Sequence, residues 1–152
     1  MSAYVQTEDF DVGLILNQLR LAHPTAGAVV SFVGQVRDVN EGDYVHTLTL
    51  EHYPGMTESA LNAIETEARA RWNLIESVII HRVGTLKPLD QIVLVAVLSA
   101  HRGEAFKACE FIMDYLKTKA PFWKKEITPM GERWVDAKVS DDVSIDRWKK
   151  LK

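Results

Sequence analysis

Apolar residues recur at intervals of three and four positions in three segments of the chain, and this spacing predicts three amphipathic helices. The segments are residues 11–21, with Asp9 or Asp11 as the N-cap, the residues that follow Thr57, and residues 102–119. The apolar stripe of the second segment consists of Leu61, Ile64, Ala68 and Trp72.

Runs of β-branched and aromatic residues predict strands between and after these helices. They cover residues 28–37, 45–53, 78–83, 91–100, 122–128 and 134–139. Pro121 separates the third helix from the fifth strand, because proline interrupts helical hydrogen bonding. Some strands follow one another directly and others are joined by a helix. This order favours an α+β fold with a mixed sheet over a doubly wound sheet.

The length and composition predict one domain. With 152 residues, of which 47% are hydrophobic, the chain is long enough to bury one core but not comfortably two. We therefore expect a single domain over residues 1–152. Residues 141–152 are polar and terminal, and we expect them to form a loosely held, flexible tail.

The sequence also predicts the cellular compartment. No segment approaches the roughly eighteen consecutive apolar residues of a membrane helix, and the first ten residues lack the basic and apolar regions of an export signal. Cys109 is the only cysteine, which excludes an internal disulfide and a zinc site built from several cysteines. Its place in a helical pattern indicates a buried small residue rather than a nucleophile. We expect a cytoplasmic protein without a membrane segment.

Basic residues are concentrated in the last third of the chain. Residues 1–100 contain 6 Lys and Arg against 12 Asp and Glu, whereas residues 101–152 contain 12 against 9. This asymmetry fits an anion bound by the C-terminal part, and it fits a solvated surface equally well.

The segment 114–126, D-Y-L-K-T-K-A-P-F-W-K-K-E, carries the most informative pattern. Lys117 lies near the C-terminal end of a predicted helix, where a cation is favourable without any functional role. After Pro121 an extended chain places Phe122, Lys124 and Glu126 on one face, with Trp123, Lys125 and Ile127 on the other. A lysine between aromatic rings and other cations suits proton transfer near neutral pH, although the same pattern describes a half-exposed strand.

Two further segments are candidates for anion binding. In S-A-H-R-G at 99–103, His101 and Arg102 stand where a strand ends and a helix begins, so they and the backbone N–H groups could hold a phosphate or simply cap the helix. In G-Q-V-R at 34–37, Arg37 ends a strand before a flexible loop. The five histidines show no metal-binding spacing, and the sequence contains neither a glycine-rich phosphate loop nor a G-x-S-x-G motif.

Four blocks of sequence resemble the large-subunit family of molybdopterin synthases. They are F-V-G-Q-V-R-D at 32–38, L-E-H-Y-P-G-M-T-E at 50–58, S-A-H-R at 99–102 and F-I-M-D-Y-L-K-T-K-A-P-F-W-K-K-E at 111–126. No secondary-structure rule demands the second or fourth block, and the two lie far apart in the chain. The resemblance covers much of residues 28–136 and is weak at both ends.

The resemblance implies a function and a set of site residues. The family is a sulfurtransferase that converts cyclic pyranopterin monophosphate to molybdopterin in molybdenum cofactor biosynthesis, without a metal or organic cofactor. By position, the resemblance implies that Lys124 and Lys117 are catalytic. It implies that the substrate-binding residues are Gln35, Val36, Arg37, His101, Arg102, Lys117, Lys124, Lys125 and Glu126. Cys109 is not part of the family pattern.

The resemblance also implies partners and a fold. The sulfur is carried as a thiocarboxylate on the Gly-Gly C-terminus of a small ubiquitin-like subunit, and two large subunits form a homodimer at the centre of a heterotetramer. The implied fold is an α/β hammerhead with an attached α+β portion. The competing hypothesis is a noncatalytic nucleotide- or RNA-binding module, which the net charge of −3 and the lack of a continuous basic stripe disfavour.

Overall fold

The two most apolar strands of the chain form the centre of one sheet, here called the core sheet. The computed structural model describes residues 2–135 and 139–149. In it, β6 (Leu74–Arg82) and β8 (Gln91–Ser99) pair antiparallel, β1 (Ser2–Gln6) runs parallel to β6, and β2 (Ala28–Gln35) pairs antiparallel with β8 at the edge. Val93 to Ser99 are all buried, so β8 is the central apolar strand that its sequence predicts.

A second four-stranded sheet, here called the site sheet, has the order β10-β9-β5-β7. Its strands are β5 (Thr47–His52), β7 (Gly84–Leu86), β9 (Phe122–Thr128) and β10 (Gly131–Val135), and all its pairs are antiparallel. Strands β3 (Val39–Asn40) and β4 (Asp43–Tyr44) form a short separate hairpin.

Helices cover both faces of the core sheet. Helix α1 (Val12–Ala22) packs on the face that contains Val78, Ile80 and Leu94. Helices α2 (Met56–Arg71) and α3 (Arg102–Lys119) pack on the opposite face, where Ile79, Val95 and Phe111 belong to the main apolar cluster. Because side chains alternate along a strand, neighbouring residues such as Val78 and Ile79 supply the two separate layers.

A smaller apolar cluster lies beneath the site sheet. Its members are Val36, Val45, Leu48, Leu50, Val83 and Leu86. Val5, Ile92 and Phe122 pack against both this cluster and the main one. These three side chains therefore join the two clusters, and the cavity described below lies at the junction of the two sheets.

The predicted α+β class and the three predicted helices are confirmed. Asp11 caps α1, with its Oδ1 accepting from Leu14 N at 3.0 Å. Helix α2 differs from the prediction at its start, since it begins at Met56 with Gly55 as the N-cap and Thr57 inside its first turn. Gly55 has φ +86°, a conformation that glycine adopts without a steric penalty. No helix of the described residues is long and apolar enough to cross a membrane.

Several elements were not predicted. Strands β1, β3, β4 and β7 fall in segments interpreted as loop or left unassigned, because strands of two to five residues have too little periodicity to identify. The prediction of a strand at 134–139 was wrong in its bounds, since β10 covers Gly131–Val135 and a fourth helix, α4 (Val139–Lys149), begins where that strand was expected to end.

Helix α4 packs on α3 through two apolar residues. Ile145 and Trp148 are buried, and the Trp148 ring contacts Trp72 and Phe111 at 5.4 and 5.6 Å between centroids. The Trp148 Nε1 donates to Asp114 Oδ2 at 2.7 Å. The four apolar residues of this otherwise polar segment do not by themselves predict a helix, so the packing of Ile145 and Trp148 against α3 supplies what the local pattern lacks.

Trp148→Ala tests whether α4 contributes to the stability of the fold. Because the substitution leaves a void between two aromatic rings and removes a hydrogen bond, we expect the free energy of unfolding to fall by about 3–5 kcal/mol in urea denaturation. Val143 is 63% exposed on the same helix, so Val143→Ala should change it by less than about 0.5 kcal/mol. Equal, small effects of the two variants would support a loosely held tail instead.

Candidate functional site

A cavity of about 560 Å³ lies between the two sheets, beside the C-terminal end of α3. Its polar lining consists of Gln35, Arg37, Asn40, His81, Lys117, Lys124 and Glu126. Its apolar wall includes Phe32, Val36, Ile92, Met113, Leu116 and Phe122. Three cations therefore line a partly open cavity that also has a broad apolar surface, an arrangement that suits a ligand with both an anionic and an apolar part.

The cations reach the cavity from three elements that are separate in the sequence. Arg37 follows the end of β2, Lys117 lies in the last turn of α3, and Lys124 lies in β9. The predicted alternation along β9 is observed, since Phe122, Lys124 and Glu126 line the cavity while Trp123 and Lys125 do not. Because side chains in a strand repeat every two residues, this face of β9 supplies an aromatic ring, a cation and a carboxylate in turn.

Lys125 lies on the opposite face of β9, away from the cavity. Its Nζ is 3.8 Å from Glu132 Oε2 and 5.7 Å from the centroid of the Trp134 ring. The structure therefore does not bring Lys125 together with the other basic residues that the family resemblance assigns to the substrate.

His101 and Arg102 also lie away from the cavity of their own chain. His101 is the N-cap residue of α3, but its side chain makes no capping hydrogen bond, and both residues are exposed. Lys117 is fifteen residues further along the same helix, which at 1.5 Å per residue separates it from Arg102 by about 22 Å. Within one chain, the predicted site residues therefore form two groups at opposite ends of α3.

Glu126 is a buried carboxylate that lines the same cavity as Arg37, Lys117 and Lys124. It is 3% exposed, and its Oε1 accepts a hydrogen bond from Asn40 Nδ2 at 2.7 Å. Asn40 Oδ1 in turn accepts from Arg37 Nη2 at 3.1 Å. A chain of hydrogen bonds thus connects the carboxylate on β9 to the guanidinium that follows β2.

His81 is a cavity residue that the sequence analysis missed. It is 3% exposed, its ring stacks on Phe122 at 3.7 Å between centroids, and its Nδ1 lies 2.7 Å from the carbonyl oxygen of Arg82. Because a carbonyl only accepts, Nδ1 carries the proton. The pKa of His81 is lowered from 6.5 to about 4, mainly by burial and to a smaller extent by the nearby charges of Lys124 and His52, against the opposing effect of the hydrogen bond to the Arg82 carbonyl. The imidazole is therefore neutral at pH 7.

One sequence signal could have identified this histidine. His81 is two residues after Ile79 in a predicted strand, so the alternation places both on the same buried face. A histidine on the buried face of a strand, without a second metal-binding residue nearby in the sequence, indicates a neutral, hydrogen-bonded imidazole.

Cys109 is buried in α3, as predicted, and does not line the cavity. Burial, with a smaller contribution from Glu110, raises the pKa of its thiol to about 12. Since the thiolate is the nucleophile, this cysteine is inert at neutral pH. In the part of the chain that the structure describes, no group of three His, Cys, Asp or Glu side chains is placed to hold a metal ion.

Comparison with known proteins identifies relatives over most of the chain. A family model described as MoaE protein matches residues 5–119. A molybdopterin synthase catalytic subunit of Ralstonia nicotianae is 61% identical over 144 residues, which are 95% of this chain and 82% of that protein. A molybdopterin biosynthesis MoaE protein from Burkholderia ambifaria has 55% identity and a TM-score of 0.83, with 97% of each chain covered.

A more distant structure shares the fold. It is a complex of subunits 1 and 2 of molybdopterin-converting factor from Helicobacter pylori, with a TM-score of 0.74 at 17% identity, over 90% of this chain and 91% of that one. At this identity the likeness shows the fold and nothing more specific.

The depressed pKa of His81 predicts a pH dependence of stability. Between pH 6.5 and about 4 the unfolded chain binds a proton at this histidine and the folded chain does not. Folding stability should therefore be complete above pH 6.5 and fall as the pH decreases through this window, by up to about 3 kcal/mol. His81→Phe, which keeps a ring against Phe122, should flatten that part of the profile in chemical denaturation at successive pH values.

The matched control for this measurement is Ile79→Val, on the same face of the same strand. It should lower stability by about 0.5–1.5 kcal/mol at every pH without changing the slope. An unchanged slope in His81→Phe would show that another group is responsible for the pH dependence.

Proposed function

Because the chain belongs to the MoaE protein family, whose members include molybdopterin synthase catalytic subunits, we propose that its cavity is where sulfur is transferred to a pterin substrate. The chain is an enzyme of molybdenum cofactor biosynthesis, a sulfurtransferase acting on cyclic pyranopterin monophosphate. The observation that carries the assignment of the site is the convergence of Arg37, Lys117 and Lys124, from three separate elements, on one cavity. The alternative of a noncatalytic nucleotide- or RNA-binding module is not favoured.

The charges of the cavity match those of this substrate. A cyclic phosphate is an anion, and Arg37 offers it charge-assisted hydrogen bonds in a planar arrangement that a phosphate accepts well. The pterin ring system is flat and partly apolar, which fits the wall formed by Phe32, Ile92 and Phe122. Gln35 and Val36, which also line the cavity, contribute to the same substrate site in this proposal.

The reaction requires proton transfers that a lysine can perform. The thiocarboxylate sulfur attacks the pterin side chain, and a C–O bond breaks as the cyclic phosphate opens or water is lost. Water then cleaves the acyl–sulfur bond of the resulting thioester, which leaves the sulfur on the pterin and a carboxylate on the carrier. Protons must therefore move to and from oxygen atoms. Lys124 is the proposed general acid and base, since it lies on the cavity face of β9 between Phe122 and Glu126. Lys117 holds the thiocarboxylate or the phosphate during these steps.

The sulfur donor in this proposal is a small ubiquitin-like protein whose C-terminal Gly-Gly thiocarboxylate enters the cavity. The relative from Ralstonia nicotianae is described as a catalytic subunit, which implies a second kind of subunit. An extended, anionic tail fits a cavity lined by cations and apolar residues. The reaction takes place in the cytoplasm, since a chain with a single cysteine does not depend on an oxidising compartment.

A homodimer would explain how His101 and Arg102, which lie far from the cavity of their own chain, can belong to the same kind of site. Strand β2 is the edge of the core sheet, and its apolar residues Val29, Phe32 and Val33 are 38%, 39% and 37% exposed. An edge strand with exposed apolar side chains favours pairing with another strand. In a twofold dimer the two copies of β2 would run antiparallel, so the Ala28 end of one would lie beside the Gln35 end of the other.

This pairing would bring the missing residues to the cavity. Ala28 is opposite Ser99, two residues before His101, whereas Gln35 is two residues before Arg37. The partner's His101 and Arg102 would therefore approach the Arg37 side of the cavity across the dimer axis. In this proposal two such chains, each with a small subunit, form a heterotetramer.

Substitution of Lys124 tests its role in proton transfer. Lys124→Ala should slow single-turnover formation of the dithiolated pterin by about 10²- to 10⁴-fold, and Lys117→Ala should cause a similar or milder loss. Lys124→Arg should be nearly as slow as Lys124→Ala, because arginine keeps the charge but does not exchange a proton near neutral pH. The control is Lys87→Ala, an exposed loop position where we expect the normal rate. A normal rate for Lys124→Arg would show that Lys124 contributes only its charge and does not transfer a proton.

Mixed dimers test whether the site is shared between two chains. Arg102→Ala and Lys124→Ala homodimers should both be inactive or nearly so. A purified dimer with one copy of each variant contains one site that lacks both side chains and one intact site, so it should recover about half of the wild-type rate. If each site were built within one chain, both sites of the mixed dimer would stay defective and no activity would return.

A further inference from the structure

The hairpin formed by β3 and β4 borders the cavity but has little means of holding its own position. Each strand has two residues, and the turn between them contains Glu41 and Gly42 at φ +53° and +82°. Isolated two-stranded hairpins are marginally stable even when they are longer. The position of Asn40, the hairpin residue that lines the cavity, therefore depends on contacts with the rest of the protein.

Arg133 of β10 supplies several of these contacts. Its Nη1 donates to Asp43 Oδ2 at 2.8 Å, and its Nη2 donates to the carbonyl oxygen of Asn40 at 2.9 Å. One guanidinium thus binds both strands of the hairpin. The rigid fork of arginine, which presents donors in fixed directions, permits this double contact, whereas the single ammonium of lysine does not reproduce it.

Arg133 is also linked to the cavity through Glu126. The two residues are directly opposite each other in the β9–β10 pair, and Arg133 Nε lies 3.5 Å from Glu126 Oε1. The same carboxylate oxygen accepts from Asn40 Nδ2. Burial of a carboxylate is costly unless it is paired, so the guanidinium stabilises Glu126 in the position where it meets Asn40.

The amide of Asn40 is suited to join these groups. Arg37 can only donate and a Glu126 carboxylate can only accept, so the residue between them needs one acceptor and one donor. Asn40 provides both, with Oδ1 facing Arg37 and Nδ2 facing Glu126. The direction of the Arg37 guanidinium is therefore coupled, through Asn40, to the contacts of Arg133.

We propose that Arg133 is a positioning residue that orients Arg37 toward the substrate by holding Asn40 and the β3–β4 hairpin against β9. This inference rests on the proposed function of the cavity, in which Arg37 binds the anionic group of the pterin. Arg133 does not line the cavity and acts through Asn40 and Glu126. The sequence gives no sign of this role, because Arg133 lies outside every block that carries the family resemblance.

The test is a double-mutant cycle on steady-state kinetics with the pterin substrate and the thiocarboxylated small protein. Arg133→Ala should raise KM for the pterin about tenfold and change kcat less than about twofold, since binding geometry is lost and the proton-transfer lysine is not touched. In an Arg37→Ala background the same substitution should change KM less than about twofold. An equal effect of Arg133→Ala with and without Arg37 would overturn the proposal.

Further variants separate positioning from general stability. Arg133→Lys keeps the charge but loses the fork, so it should also raise KM, and Asn40→Asp should do the same because it places a second carboxylate against Glu126. Arg147, which pairs with Glu110 and Asp114 on the surface of α3, is the matched control, and Arg147→Ala should leave KM unchanged. If Arg133→Lys had a normal KM, charge and not geometry would be responsible, and the proposal would be wrong.

Hydrogen–deuterium exchange gives a readout that does not require enzyme activity. The Val45 N–H donates to the carbonyl oxygen of Asp38 at 2.8 Å across the base of the hairpin, and its exchange should accelerate in Arg133→Ala and not in Arg147→Ala. An unchanged exchange rate in Arg133→Ala would contradict the proposal that Arg133 holds the β3–β4 hairpin in place. Absence of turnover in the wild-type protein would instead contradict the proposed function, so the two failures are distinguishable.

Discussion

The turn at Pro121 is the constraint on which the site depends. It ends α3 just after Lys117 and Lys119 and begins β9, so a cation at the end of a helix and a cation on a strand reach one cavity. The hydroxyl of Thr57 fixes this turn by donating to the carbonyl oxygen of Pro121 at 2.9 Å, while it accepts from Tyr53 N at 3.0 Å. Phe122, the next residue, stacks on His81 of the core sheet.

This contact explains why two distant blocks of the sequence belong to one pattern. The block at 50–58 contains Thr57 and the end of β5, and the block at 111–126 contains Pro121 and most of β9. Strands β5 and β9 pair antiparallel, with His52 opposite Phe122 and Leu50 opposite Lys124. The first block therefore holds the second in place, and of these two blocks only the second lines the cavity.

Much of the fold and part of the site could be predicted from the sequence. Long elements such as α3 and β8 have clear periodicity, and the alternation along β9 correctly separated Lys124 from Lys125. Helix α4 could not be predicted, because its few apolar residues become informative only against Trp72 and Phe111. The β3–β4 hairpin at 39–44 is held by Arg133, which lies about ninety residues later in β10 of the site sheet. The local sequence of the hairpin contains no signal for this contact. The distance between Arg102 and the cavity that contains Lys124 could not be predicted either, because it depends on the length and direction of α3 in the folded chain.

Sulfur transfer to the pterin is tested most directly by mass analysis of the pterin. The measurement follows incubation of this protein with cyclic pyranopterin monophosphate and a small ubiquitin-like protein that carries a C-terminal Gly-Gly thiocarboxylate. We expect a dithiolated pterin and the conversion of the thiocarboxylate to a carboxylate, with neither change when the last two residues of the small protein are removed. Recovery of unchanged pterin with the intact thiocarboxylated protein, or the same yield with the truncated one, would contradict this expectation.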